Sequence, residues 1–286
     1  MVWTLLLAGH LVGLVGYTLL LRKSALGSLN KLVLAALMQT AIFIPSLLFL
    51  AFGYVSFVYS PLEWALMLLG AAMITGLHIS NVWALTHLDA SLFTILYNLR
   101  LLAVTILGFV FLGELPTVLQ MVGGFIILIS IALLNLHLNS RWRSVPILIG
   151  LGTMLWYSFH AVLEKYNFGL FNIESYIFIV SLAATIMLWS IVFLMRVDVW
   201  GQITHIHDRK IYALLPARIL SAYAYMYALL YGSVAVTNYV SGMGVALIVL
   251  FGIFLLGERD EMWQKLAAVA VACVGLTCIL VAKLAT

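Results

Sequence analysis

The chain has 286 residues, of which 65% are hydrophobic and only 8% are charged. A soluble domain carries about 25% charged residues, so this composition excludes a protein whose surface faces water on all sides, and the solvent it implies is lipid. The net charge of +4 does not point to nucleic acid, because the Lys and Arg residues are spread through loops rather than gathered on one face.

A bilayer core about 30 Å thick takes about 20 apolar residues at 1.5 Å rise each. Ten such windows follow one another, at about 2–21, 32–52, 62–85, 90–112, 117–137, 146–163, 173–196, 211–231, 234–256 and 263–281. The first lacks the basic flank and cleavage site of a secretory signal and is followed by further spans, so it is expected to stay as the first span. The breaks are short and carry turn chemistry: Gly27-Ser28, Ser60-Pro61, Asp89, Gly113-Glu114-Leu115-Pro116 and Gly232-Ser233. Lipid offers backbone groups no partners, so the windows must be helices. The expected class is an all-α membrane protein with ten transmembrane helices, whose longest loop is 198–210. Cys273 and Cys278 lie five positions apart in one window, a spacing a rigid helix does not bridge, and no disulfide is expected.

The chain also repeats itself. Leu112-Gly113-Glu114 returns as Leu256-Gly257-Glu258, 144 positions later, and the same shift pairs Ala84 with Ala228, Leu85 with Leu229, Gly108 with Gly252 and Gln120 with Gln264. A single gapless offset points to duplication. It lays windows three to five on eight to ten; windows one and two align with six and seven by count alone. Five spans per half is an odd number, so the second half must enter the membrane upside down. The expected division is a first five-helix repeat over 1–140 and a second, inverted one over 141–286. Of the 14 Lys and Arg, ten follow windows one, five, seven and nine, only Lys165 and Lys283 flank the opposite ends, and two lie inside windows. The excess places those loops in the cytoplasm and both termini outside.

Charges inside hydrocarbon cost about 2.5–3.5 kcal/mol on insertion scales and mark function. Arg100 lies in the middle of window four, and Arg218 lies in window eight just after Pro216. A guanidinium makes planar, bidentate contacts to carboxylate or phosphate, so the pair suggests an anionic or zwitterionic ligand. Helical spacing puts Phe93, Tyr97 and Arg100 on one face, and Arg218, Ala222 and Tyr225 on another. Tyr223, Tyr227 and Tyr231 form a separate stripe that suits packing or an interface as well as a pocket. In window six Trp156 and His160 share a face beside Tyr157 and could stack on a ring or an ammonium group. Asn238, Ser241 and Gly242 interrupt window nine where window four carries Thr94, Tyr97 and Asn98, and paired polar interruptions point to a binding site. The substrate-binding candidates are thus Arg100, Tyr97, Asn98, Arg218, Tyr225, Trp156, His160 and Asn238.

His10, His78 and His160 lie inside windows. Asp89, Glu114, Glu164 and Glu258 all fall at window ends, so no mid-span carboxylate is expected, and coupling must use a histidine or a counter-substrate. His205, His207 and Asp208 lack a fourth ligand, so no metal site and no catalytic site are expected. Gly9–Gly13 and Gly242–Ala246 have the spacing that lets helices cross closely.

The residues Ala84-Leu85, Leu88-Asp89-Ala90-Ser91, Leu112-Gly113-Glu114, Gln120 and Gly123-Gly124, with their second copy Ala228-Leu229, Leu256-Gly257-Glu258, Gln264 and Gly275, resemble the EamA-type repeat of the drug/metabolite transporter superfamily. The resemblance covers the whole five-plus-five layout. It implies alternating access around a central cavity, in an integral multi-pass protein of the bacterial inner membrane. It also implies termini in the cytoplasm, against the count of basic residues. Span four, from Leu88 to Arg100, is also similar to the nucleotide-sugar transporters of that superfamily, which carry a Lys in a like position. The function expected is a secondary active or exchange transporter, as an exporter, of a small polar metabolite with an anionic group: an amino acid, an organic acid or a phosphorylated metabolite. A nucleotide-sugar-like antiporter is the alternative. No Walker motif is present. A multipass membrane enzyme is the rival class, against which stand the missing His-Glu-x-x-His and Gly-x-Ser-x-Gly patterns. No cofactor is expected. The partners named are a small-molecule substrate and the lipid bilayer, with a homodimer left open and nucleic acid excluded.

Overall fold

The computed structural model describes residues 2–23, 29–87, 97–133, 144–203, 211–256 and 262–284. Asp89, Phe93, Thr94, His205, His207, Asp208, Gly257 and Glu258 lie outside the described residues, as do Arg141, Arg143, Arg209, Lys210 and Arg259. Every regular element among the described residues is helical: α1 (Val2–Lys23), α2 (Lys31–Ala51), α3 (Pro61–His87), α4 (Arg100–Leu112), α5 (Val118–Leu133), α6 (Ser144–Leu170), α7 (Ile173–Leu194), the single turn α8 (Val199–Ile203), α9 (Ile211–Tyr231), α10 (Val234–Phe251) and α11 (Met262–Leu284). A π-helical turn, Gly252–Leu256, prolongs α10.

Among the described residues seven helices are long and apolar enough to cross a membrane: α1, α2, α3, α7, α9, α10 and α11. The shorter apolar helices α4 and α5 fall on the fourth and fifth predicted windows. The sixth window ends at 163, but α6 runs on to Leu170. Pro45 and Pro216 sit inside α2 and α9, as spanning helices allow when neighbours satisfy the freed backbone groups.

The two halves of the sequence interlock. α1 lies along α9, α5 along α11 and α2 along α7, while α6 is held by α3 and α4 and α10 contacts α1, α4 and α5. Each of these contacts joins a helix from before residue 140 to one from after it. One buried apolar cluster gathers Met67, Val104, Tyr176, Leu229 and Val234; a second gathers Leu7, Leu101, Ile127 and Tyr239.

Between helices in lipid, association depends on close packing rather than on expelling water. At Gly13 of α1 a Cβ would stand 2.5 Å from the Ser221 nitrogen and 2.7 Å from the Ala217 carbonyl oxygen of α9. The Gly9–Gly13 spacing therefore marks a seam, with the tight contact at Gly13; at Gly9 the nearest atom, Ala224 Cβ, would be 3.6 Å away. α5 and α11 cross in the same manner, where a Cβ on Gly123 would lie 2.5 Å from the Gly275 carbonyl oxygen.

The motif Leu112-Gly113-Glu114 has a mechanical part. Gly113 adopts φ 68°, the left-handed conformation that ends α4. Glu114 Oε2 then accepts from the Val234 backbone nitrogen at 2.6 Å, at the start of α10 in the other half. Ser233 caps the same helix by accepting from Val236 N at 3.3 Å. On the other side of the turn, Lys165 Nζ of α6 donates to the Leu229 and Leu230 carbonyls at 2.8 and 3.1 Å, at the end of α9. An anion thus meets a helix N-terminus and a cation a C-terminus, each favourable to the helix dipole.

Two consequences are measurable by thermal unfolding in detergent. Gly13→Ala is expected to destabilise the protein by about 1–3 kcal/mol through overpacking, whereas Gly9→Ala leaves the midpoint near that of the parent. Glu114→Ala is expected to cost about 1 kcal/mol, and Glu114→Gln, which keeps an acceptor, to recover part of the loss.

Candidate functional site

Arg100 opens α4 and its side chain turns inward, leaving the residue 8% exposed. Its guanidinium carbon lies 4.3 Å from the centroid of the Tyr97 ring and 4.8 Å from that of Tyr157. These distances are within the roughly 6 Å reach of a cation–π contact. The two rings meet edge to face, with centroids 5.5 Å apart. The Arg100 Nε is buried without a hydrogen-bond partner, and no carboxylate pairs with the guanidinium among the described residues.

The phenols extend the cluster. Tyr157 donates to Asn238 Oδ1 at 3.1 Å and Tyr225 donates to the same oxygen at 3.4 Å, with the two phenol oxygens 3.3 Å apart. The Asn238 amide donates to the Val234 carbonyl at 2.9 Å, which fixes which end of the side chain faces the tyrosines. Helices α4, α6, α9 and α10 thus each contribute to one polar knot.

His10 of α1 lies against it, its ring centroid 5.2 Å from that of Tyr225. Its Nδ1 is 2.9 Å from the Ser221 carbonyl oxygen and its Nε2 is 2.9 Å from Ser241 Oγ. A carbonyl only accepts, so Nδ1 carries a hydrogen; in the neutral ring Nε2 then accepts from the serine hydroxyl. This is the interior hydrogen-bonded role that histidines in spans commonly take.

Arg218 lies farther along α9. The Tyr17 ring centroid is 5.4 Å from its guanidinium carbon, and its Nε is also buried without a partner. Both guanidiniums are within electrostatic reach of Tyr97 and His10. Arg218 and His160 are both within electrostatic reach of His78.

The structure therefore brings together Arg100, Tyr97, Tyr225 and Asn238, places Arg218 within electrostatic reach of Tyr97, and buries Asn98 and His160. Trp156 goes elsewhere. It is 42% exposed, lies on Gly76 and donates from Nε1 to the Met73 carbonyl at 2.6 Å. Its neighbour Tyr157 takes the place in the cluster, because consecutive helical residues point about 100° apart. The stripe of Tyr223, Tyr227 and Tyr231 also stays out: Tyr223 donates to the Ile42 carbonyl, Tyr227 to Glu174, and Tyr231 is exposed.

Glu164 departs from the reading of its sequence position as a span end. It lies six residues inside the C-terminus of α6 and is 4% exposed. A cavity of about 230 Å³ opens between Trp3, Gln120 and Ser233 and includes none of the predicted site residues.

The chain was compared with known proteins. No curated protein matches it. A solved crystal structure superposes on it with a TM-score of 0.78 at 19% sequence identity, covering 98% of this chain and 97% of the other, a likeness of fold alone. The EamA-like transporter family matches residues 2–136. That match gives residues 2–136 the likeness of an EamA-like transporter unit, and the seven long apolar helices among the described residues make the chain an integral membrane protein.

Proposed function

We propose that this protein is a secondary transporter, acting as an exporter or exchanger, for a small polar metabolite with an anionic group, and that it is not an enzyme. Its ten spans form two inverted five-helix halves that rock about a shared centre by alternating access, in a bacterial inner membrane. The interlocked helix pairs and the 144-residue sequence offset support that arrangement.

The observation that carries the substrate class is the buried Arg100 guanidinium. It is set against two tyrosine rings, with an unpartnered Nε and no carboxylate paired to it among the described residues. A buried charge without a counter-ion is costly. A carboxylate or phosphate arriving from solution would supply the missing partner and take a bidentate contact. Arg218, with the same unsatisfied Nε, adds positive potential. Tyr157, Tyr225 and Asn238 offer hydroxyl and amide groups to the rest of the ligand.

A thermal-shift screen in detergent across amino acids, organic acids, sugar phosphates, nucleotides and amines tests this. A ligand at 100 times its Kd stabilises by about 2.7 kcal/mol, and the anionic compounds are expected to give the shifts. Arg100→Ala is then expected to weaken binding of those anions by roughly 30- to 100-fold, the equivalent of about 2–3 kcal/mol. Equal affinity in the variant, or shifts confined to amines, would remove Arg100 from the role.

A further inference from the structure

We infer that Glu164 is a proton-binding site that couples this transporter to a proton gradient. The inference rests on the transport reading above.

Glu164 lies seven residues after Tyr157 on α6, which puts it on the same face and about 10 Å farther along the axis. Tyr225, part of the Arg100 cluster through Asn238, is within electrostatic reach of Glu164 as well. Tyr157 of the Arg100 cluster and this carboxyl therefore lie along one face of the helix, whose Leu170 end is about 9 Å farther on. From α7, Tyr176 is within electrostatic reach of the carboxyl. Its own helix places His160 one turn back and Lys165 beside it, with the Lys165 ammonium committed to the Leu229 and Leu230 carbonyls. α3 and α4 carry His78 and Arg100 toward the centre of the bundle, and α10 contributes the neutral Asn238. No cation pairs with Glu164 and no donor bonds to it among the described residues.

A carboxyl enclosed in this way, without a cation or a donor, is least costly as the neutral acid. Opened to water at the Leu170 end, the anion is hydrated and the proton leaves. In the first step a hydronium ion gives up its proton and an O–H bond forms at a carboxyl oxygen. In the second that bond breaks and the proton returns to water on the other side. No electron changes hands. The turn between α9 and α10, gripped by Lys165 and Glu114, closes the end of the bundle beside this residue.

Infrared difference spectroscopy of the purified chain in detergent, scanned over about pH 5 to 9, reads the proton directly and needs no substrate. The expected result is a protonated-carboxyl band that titrates in the parent, is lost in E164Q and is retained, shifted, in E164D. Spectra that are the same in parent and E164Q would overturn the proposal. So would a Glu164-dependent band that never titrates, since that acid would be permanently neutral. Failure of every anion in the thermal screen would sink the substrate reading and leave this result standing.

Discussion

A polar side chain inside hydrocarbon has no water to turn to, and it must find its partner within the protein. That constraint organises the interior of this molecule. The phenols of Tyr157 and Tyr225 converge on one amide oxygen, His10 is held between a carbonyl and a serine hydroxyl, and Arg100 is wrapped by aromatic faces. The groups left incomplete are as informative as those satisfied. The Nε atoms of Arg100 and Arg218 are buried without a hydrogen-bond partner among the described residues.

Away from the charged grips on the α9–α10 turn, the rest of the fold holds this centre by close contact. Backbones approach closely at Gly13 against α9 and at Gly123 against Gly275. Threonine and serine hydroxyls return to carbonyls of their own helices, as Thr75, Thr105 and Ser158 do, so that they present little polarity to lipid.

Much of this was legible in the sequence, for physical reasons. A helix needs about twenty apolar residues to span a bilayer, and the windows follow from counting. Helical spacing set Tyr97 beside Arg100, and the Tyr97 ring lies against the guanidinium. What could not be read is rotation about the axis. A helix apolar all round carries no phase, so whether Trp156 or Tyr157 turns toward the centre is decided by the neighbouring helices. Here Gly76 and the Met73 carbonyl accommodate the indole. Glu164 was misplaced because a hydropathy window stops at the first charges, Glu164-Lys165, whereas the helix runs on to Leu170 with the carboxyl turned into the bundle. The role of Glu114 was hidden for another reason: its partner, Val234 N, is 120 residues away and is a backbone group that no side-chain pattern announces.

The grip on the α9–α10 turn bears on how any motion is shared. Lys165 belongs to α6 and Glu114 to the segment after α4, and both hold the one hairpin tip. A tip tethered from two sides behaves as a lever rather than a flap. Displacing the end of α4 or α6 drags the tip along with it, and movement at that rim is transmitted down α10 to the far end, where the widened π-helical turn offers the compliance that the tethered end lacks.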